Sequence, residues 1–429
     1  MYHLQPNLVG IVERIEITML DIKNRFNIGN NKKSLWNLSI IGLFIILVYL
    51  PDITRYKNLV MILICATALC YLVKDFRQVV NSLRSSLFLS ILLFVLAIFY
   101  SIGISIDPAL SFKEMNKPIL NGLLLFSMTF PIVLYQEKKQ HIAKMILIAF
   151  IIGMSLISLT DIAKYIINYY ATGEMPFMNY NHREFSYGFL FYFPVLLCTW
   201  ALWKKHSLLS WLLLIIASAI GLFLLLGTLS RGAWVAIVVA TVFIIVINKE
   251  WKLTLAATIC LGLLAGAIHW SAVSNPATKL LLHKLTQTDS SHRYSNGTQG
   301  SAWSLIMENP VKGYGFGNKV YHQVYNSRVA DYPDWAFRTS IGPHNVFLSL
   351  WFAGGLFGLI ATLLMTLSAL FTGSQIIRQH SGIIRQAGLI LLTAFIGLFI
   401  VRGAFENAYI NEIGLLLGLM ITLYKQKDD

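Results

Sequence analysis

The composition of the chain predicts an all-α membrane protein with many spans. Of its 429 residues 56% are hydrophobic and only 13% are charged, whereas soluble domains carry about 25% charged residues. Apolar segments of about 20 residues, long enough to cross a bilayer as a helix, recur along the whole chain. A transmembrane β-barrel would instead show short alternating segments. We therefore predict a polytopic helical bundle of about twelve transmembrane helices with one long, partly helical loop.

The basic residues between the apolar segments indicate how the chain is oriented. The predicted spans lie near 35–50, 58–73, 86–104, 117–135, 143–160, 185–203, 208–228, 232–248, 253–270, 344–373, 386–405 and 409–424. With the N-terminus inside, the inner connections carry 19 Lys and Arg residues and the short outer connections carry 8. This bias is typical of cytoplasmic loops, so both termini are predicted to lie inside and the long loop outside.

Four regions follow from this topology. Residues 1–34 form a cytoplasmic N-terminal tail, and residues 35–270 hold the first nine spans. Residues 271–343 form the long outer loop, and residues 344–429 hold the last three spans and a short cytoplasmic tail.

Several classes of function are disfavoured by what the sequence lacks. The net charge of +14 follows largely from the cytoplasmic bias of Lys and Arg, so it does not indicate nucleic-acid binding. All four cysteines fall inside apolar runs, which argues against a disulfide framework. The histidines do not cluster at zinc-ligand spacing, and neither a Walker-type phosphate loop nor an Asp-x-Asp pair occurs. Chemistry outside the membrane would then draw on an already activated substrate.

Arg231 is the first candidate site residue along the chain. It lies between two apolar runs with almost no loop, on the outer face of the predicted topology. A charge at mid-membrane costs about 2.5–3.5 kcal/mol and far less at the interface, so Arg231 can be an arginine that snorkels from a helix hairpin. Its small neighbours Ser230 and Gly232 also leave room for a bidentate contact to a phosphate.

The long loop contributes Arg293 and Lys312. A loop arginine such as Arg293 is either a solvated charge or an anion ligand. Lys312 follows a turn at Asn309-Pro310 and precedes the glycine-rich segment Gly313-Tyr314-Gly315-Phe316-Gly317. Such a segment either punctuates a loop or lets backbone N–H groups approach an anion.

His344 and Asn345 stand where the loop re-enters the predicted membrane. Asn345 can cap the exposed N–H groups of the next helix. On a continuous helix Gly355 would face nearly the same way as His344, and Gly354 with Gly358 would let another helix approach closely. His344 is therefore either an interfacial residue at a helix start, or a general base or donor to phosphate.

Arg402 lies at the outer end of the eleventh predicted span. It either pairs with Glu406 four residues later or joins an anion site. Arg231, Arg293, Arg402 and His344 all fall at one predicted membrane face. We hypothesise that they converge on a lipid-linked phosphate or pyrophosphate.

These residues resemble the signature of a known family. The similarity to the bacterial O-antigen ligase/polymerase superfamily rests on Leu229-Ser230-Arg231-Gly232-Ala233-Trp234, on Arg293…Trp303…Pro310…Gly313…Gly315, and on His344-Asn345 followed after nine residues by Gly355. The histidine pattern after a long loop most resembles the O-antigen ligases of Gram-negative bacteria. The architecture matches over the whole chain, whereas the sharp motifs span only about 228–358.

The resemblance implies a multi-pass enzyme of the bacterial inner membrane whose active site faces the periplasm, with residues 271–343 as a periplasmic lid. Such ligases move O-antigen polysaccharide from undecaprenyl pyrophosphate to a sugar hydroxyl of lipid A-core, without ATP, metal or another cofactor. Direct attack on the anomeric carbon would invert it.

The resemblance also implies roles for individual residues. Arg231 and Arg293 match the family's essential arginines and would bind the pyrophosphate. His344 matches its essential histidine and would activate or position the acceptor hydroxyl. Arg402, Lys312 and Asn345 are further candidates for binding the pyrophosphate or the sugar.

Three rival functions remain. An O-antigen polymerase would use the same donor with a growing glycan as acceptor, and a protein O-oligosaccharyltransferase would use a protein hydroxyl. A transporter of lipid-linked oligosaccharides would place charges deep within its spans, whereas here the charges lie at the span ends.

Overall fold

The computed structural model describes residues 32–178, 181, 186–203, 207–252, 262, 266–267, 269–271, 274–286, 292–406 and 410–426, and most of these residues are helical. The principal helices are α1 (Lys32–Val48), α2 (Thr54–Lys74), α3 (Phe76–Leu83), α4 (Ser86–Gly103), α5 (Pro108–Met115), α6 (Leu125–Val133), α7 (Lys139–Thr172), α8 (Tyr192–Leu202), α9 (Leu208–Gly227), α10 (Arg231–Asn248), α11 (Pro276–Thr286), α12 (Thr298–Glu308), α13 (Asn318–Arg328), α14 (Val346–Gln379), α15 (Gly382–Phe395) and α16 (Ile410–Lys425). A π-helix, Asn116–Leu124, joins α5 to α6, and another, Ile396–Val401, continues α15. No strand occurs among these residues, so the predicted all-α class is confirmed.

The chain is a multi-pass membrane protein. Within the described residues seven helices are long and apolar enough to cross a membrane: α2, α4, α7, α9, α10, α14 and the stretch Gly382–Ala404. Most other predicted spans coincide with shorter helices, and the predicted span 253–270 lies almost wholly outside the described residues. The count of about twelve spans remains a prediction.

Burial distinguishes the centre of the bundle from its rim. In the most apolar window of the Gly382–Ala404 stretch 78% of the residues are buried, and the corresponding values for α9 and α2 are 22% and 17%. Every residue of α16 from Glu412 to Leu423 is also buried. The last two helices therefore form the centre of the bundle, and α2 and α9 present most of their apolar surface outward, where a bilayer would cover it.

Short polar residues start several of the helices. Ser85 accepts a hydrogen bond from Phe88 N–H at 3.1 Å at the start of α4. Asp107 does the same for Leu110 N–H at 2.9 Å at the start of α5, where Pro108 occupies the first position. These side chains satisfy N–H groups that have no partner within the helix, which fixes the boundaries.

Helix α14 is broken at its ninth and tenth residues. Gly354 has φ −117° and ψ 15°, and Gly355 has φ 57° and ψ −148°, so neither is helical. The long loop supplies the hydrogen bonds that cross the break: Tyr314 N–H to Phe352 carbonyl at 2.9 Å, Gly315 N–H to Ala353 carbonyl at 2.9 Å, and Leu356 N–H to Val311 carbonyl at 3.1 Å. The loop is thereby joined to the membrane frame through backbone atoms.

The close approach at this break requires glycine on both sides. A Cβ on Gly355 would lie 2.0 Å from the carbonyl oxygen of Val311, and a Cβ on Gly313 would lie 2.4 Å from the nitrogen of Gly355. The expectation that Gly355 faces the same way as His344 on a continuous helix is wrong, because the break reorients the chain. In the glycine-rich segment, the N–H groups of Tyr314 and Gly315 donate to carbonyl oxygens of α14. These two residues therefore join the loop to the helix, and their N–H groups do not face an anion.

The long loop is partly helical, as predicted, and has a small core of its own. That core contains Ala302, Leu305, Ile306, Tyr321, Val324, Tyr325 and Trp335, and it includes Phe352 of α14. Glu308 at the end of α12 accepts hydrogen bonds from Arg328 at 3.0 Å, from Tyr314 at 3.2 Å and from Tyr332. Burial would raise the pKa of the Glu308 carboxyl, but the bonds from Tyr332 and Arg328 bring it below its ordinary value. The placement of this loop outside the membrane remains a prediction.

Replacing Gly355 by alanine should destabilise the fold. Its backbone lies where a side chain costs about 1–3 kcal/mol of strain, and the new Cβ would also strike Val311. The melting temperature of the purified protein in detergent should fall by several degrees. Gly103→Ala is the control, because nothing lies within 4 Å of its added Cβ. Equal melting temperatures for the two variants would contradict the account of the break.

Candidate active site

The site is built on a short turn after the last π-helix. Arg402–Ala404 form a 3-10 helix, and the Arg402 carbonyl accepts hydrogen bonds from Phe405 N–H at 2.9 Å and Glu406 N–H at 2.8 Å. We call residues 402–406 the 402–406 turn. Arg402 is buried within it, with 5% of its surface exposed. Because the helix tightens here, the carbonyls of Ala404 and Phe405 are available to side chains from elsewhere.

Three side chains from two parts of the chain donate to these two carbonyls. The donors are Gln299 Nε2 to Ala404 at 2.9 Å, Asn345 Nδ2 to Ala404 at 3.3 Å, and Arg293 Nη1 to Phe405 at 3.1 Å. A third part, at the start of α10, packs on the same turn: a Cβ on Gly232 would lie 3.8 to 3.9 Å from side-chain atoms of Arg402, Phe405 and Glu406. The turn therefore gathers residues that are far apart in sequence.

His344 faces the carboxylate of Glu406. Its Nδ1 lies 3.5 Å from Glu406 Oε2, and the two side chains are 31% and 23% exposed. This separation exceeds an ordinary N–H···O bond of about 2.7–3.2 Å, so the contact is electrostatic and strengthens when the imidazole is protonated. The backbone of His344 is in the left-handed region with φ 48°, and Gln299 Nε2 lies 3.4 Å from its carbonyl oxygen. The loop thus turns sharply at His344 before α14 begins.

Asn345 caps α14, as the sequence predicted. Its Oδ1 accepts hydrogen bonds from Phe347 N–H at 2.9 Å and Leu348 N–H at 3.1 Å, while its Nδ2 donates to Ala404. Both ends of the amide are therefore engaged within the protein. The position of His344 is fixed by this cap in the next residue.

Three arginines lie in the turn or near it, and they differ in exposure. Arg231 is the first residue of α10 and is exposed, Arg293 is partly exposed, and Arg402 is buried. The guanidinium carbon of Arg293 lies 5.7 Å from the centre of the Phe405 ring. The N-terminus of α10 adds a partial positive charge where Arg231 stands. Arginines beside a helix N-terminus favour a phosphate-bearing ligand.

Two residues of the site were not predicted from the sequence as site residues. Glu406 was predicted only as a partner for Arg402, although its carboxylate lies beside His344. Gln299 carried no signal, since a glutamine in a polar loop is ordinary.

Lys312 lies away from the 402–406 turn. Its carbonyl oxygen is 3.4 Å from the Tyr100 hydroxyl, beside the break in α14. This break is roughly 15 Å along the helix from Asn345. A role for Lys312 in binding substrate remains a prediction.

No group of three or more His, Cys, Asp or Glu side chains that could hold a metal occurs in the part of the chain that the structure describes. The metal-free mechanism remains a prediction.

The chain is similar to known proteins across these elements. Residues 212–363 match a family model described as O-antigen ligase, and this segment contains Arg231, Arg293 and His344. The chain is also 41% identical to an O-antigen ligase of Salmonella typhimurium strain LT2 over 393 residues. That alignment covers 91% of this chain and 96% of the Salmonella protein.

The two functions of the Asn345 amide can be separated by substitution. Asn345→Ala should cost about 1 kcal/mol for the lost cap and also remove the bond to Ala404. Asn345→Asp keeps the acceptor for α14, loses the donor to Ala404 and adds a negative charge, which a helix N-terminus favours. The melting temperature in detergent should therefore decrease from wild type to Asn345→Asp to Asn345→Ala. An alanine variant as stable as wild type would show that the cap does not hold this junction.

Proposed function

Because the chain belongs to the O-antigen ligase family, we propose that it transfers O-antigen polysaccharide from undecaprenyl pyrophosphate to a sugar hydroxyl of lipid A-core. Family membership makes it a glycosyltransferase-type enzyme of lipopolysaccharide biosynthesis. The observation that carries the proposal is that Arg293, His344 and the start of α10, which begins with Arg231, meet at the 402–406 turn. The reaction takes place at the periplasmic face of the inner membrane.

Arg231 and Arg293 bind the pyrophosphate of the donor. A guanidinium makes paired hydrogen bonds to phosphate oxygens, and its charge persists at every physiological pH. When the bond from the anomeric carbon to the phosphate oxygen breaks, negative charge grows on the leaving pyrophosphate. Fixed positive groups at that point stabilise the transition state more than the ground state. Buried Arg402 adds positive charge behind them.

His344 takes the proton of the acceptor hydroxyl. Its Nδ1 faces Glu406, which leaves Nε2 for the hydroxyl. As that oxygen attacks the anomeric carbon, the proton passes to Nε2 and the pyrophosphate leaves with the bonding electrons. The Glu406 carboxylate holds the imidazole in one orientation and stabilises its protonated form. A single displacement of this kind inverts the anomeric centre and needs neither ATP nor a metal, because the glycosyl pyrophosphate is already activated.

The long loop acts as a periplasmic lid. Residues 271–343 lie outside the inner membrane, while the tail 1–34 and the C-terminal end of 344–429 face the cytoplasm. The distribution of Lys and Arg supports this orientation. The loop's backbone bonds to α14 support a lid that is fixed to the frame formed by 35–270 and 344–429. Donor and acceptor are both lipids, so the shared membrane plane supplies proximity.

The acceptor separates this proposal from its nearest rivals. An O-antigen polymerase would use the same arginines for the same donor, and a protein O-oligosaccharyltransferase would differ only in its acceptor. The similarity to the Salmonella O-antigen ligase favours the ligase.

A deletion strain tests the function directly. Cells without the gene should retain lipid-linked polymer and carry bare lipid A-core, and wild type supplied on a plasmid should restore the polymer ladder on gels. His344→Ala should not restore it although the protein reaches the membrane, whereas His283→Ala, at an exposed histidine of the loop, should. Core bearing a single repeat unit in the deletion strain would identify a polymerase instead. Restoration by His344→Ala would remove His344 from the mechanism.

A further inference from the structure

A cavity of about 190 Å³ lies beside His344, between the long loop and the bundle. Pro343 and Val346, which flank His344 and Asn345 in the chain, both line it. Its volume is that of about six water molecules at ~30 Å³ each. Pockets for drug-sized ligands have about 300–1,000 Å³, so this cavity suits a smaller group of about one ring.

The walls combine a few polar groups with ring faces. Glu114, Asn318 and Ser349 contribute a carboxylate, an amide and a hydroxyl, and Phe316 and Phe352 contribute aromatic surface. Tyr321 also lines the cavity and is 3% exposed.

This mixture fits a sugar ring better than the other groups present in the reaction. A sugar ring offers hydroxyls at its edge and C–H bonds on its faces, which match the polar and aromatic walls. A lipid tail would leave the polar groups without water or partners, and a phosphate would meet the negative charge of Glu114.

The loop side of the cavity is held firmly. Lys319 Nζ lies 3.7 Å from Glu114 Oε1, and the Ser111 hydroxyl donates to the Phe316 carbonyl at 2.7 Å. Gly317 has φ 121°, and a Cβ there would lie 2.8 Å from the Cβ of Glu114. The loop backbone therefore lies directly against α5, so the wall is already formed before a ligand binds.

Val346 connects the cavity to the site. It lines the cavity, and a Cβ on Gly403 would lie 2.8 Å from its Cγ1. The cavity is thus one side chain away from the 402–406 turn, where the arginines gather. A ring in the cavity would lie against Pro343 and Val346, which flank His344 and Asn345 in the chain.

We propose that this cavity is the acceptor subsite, which binds the sugar ring of lipid A-core that carries the attacking hydroxyl. Asn318, Glu114 and Ser349 hydrogen-bond the other hydroxyls of that ring and select the acceptor. The assignment rests on the proposed function and names the part of the protein that recognises its second substrate.

The test is transfer by the purified full-length protein from undecaprenyl-pyrophosphate-linked O-antigen to lipid A-core, with each substrate varied in turn. Asn318→Ala removes one amide and should raise the KM for lipid A-core about tenfold, the effect of losing ~1.4 kcal/mol of binding. Ser349→Leu fills the cavity and should raise it further. The KM for the donor should stay at its wild-type value in both variants. Gln323→Ala is the matched control, an exposed amide on the same helix as Asn318 that does not line the cavity.

The possible outcomes distinguish the two proposals. A higher donor KM with an unchanged acceptor KM would place a donor sugar in the cavity and overturn the assignment. Unchanged values for both substrates in Asn318→Ala and Ser349→Leu would also overturn it. Wild-type protein that transfers nothing to lipid A-core would instead refute the proposed function. Melting temperatures within the range of the Gln323→Ala control exclude misfolding as the cause of a raised KM.

Discussion

The carbonyl oxygens of Ala404 and Phe405 are the acceptors on which the candidate site depends. They are available because the helix that carries them passes through a π-helix and then a 3-10 turn instead of continuing. Side chains from the loop and from the start of α14 donate to them. A backbone acceptor of this kind keeps its place regardless of side-chain rotamers. Residues as far apart in sequence as Arg293 and Phe405 are thereby held within one hydrogen bond of each other.

The second constraint is the junction of the loop with the broken helix α14. Two N–H groups of the glycine-rich segment bond to carbonyls that the break leaves without helical partners, and Val311 accepts the N–H of Leu356. Gly355 permits both the positive φ and the close backbone contact. Backbone hydrogen bonds therefore fix the loop to the bundle. Both the loop and the bundle contribute walls to the cavity beside His344. We propose that recognition of the two substrates is divided between the arginines and this cavity.

Local chemistry explains which features the sequence could predict. Helix positions followed from apolar length, and the cap at Asn345 followed from its residue type next to an apolar run. Glu406 beside His344 and Gln299 beneath it could not be foreseen, because those contacts join residues 62 and 45 positions apart. The break at Gly355 was also hidden, since glycine is tolerated in membrane helices and only the partner backbone of Val311 requires it there. Arg231 was placed correctly at a helix start because its small neighbours and missing loop are local properties.

The central claim is that Arg231 and Arg293 act on one pyrophosphate. A double-mutant cycle measures this most directly: the affinity of purified protein for undecaprenyl-pyrophosphate-linked O-antigen is determined for wild type, Arg231→Ala, Arg293→Ala and the double variant. If both side chains hold the same group, the double variant should deviate from the sum of the single losses by about 0.5–3 kcal/mol. Losses that add to within about 0.5 kcal/mol would show that the two arginines serve independent sites and would contradict the account.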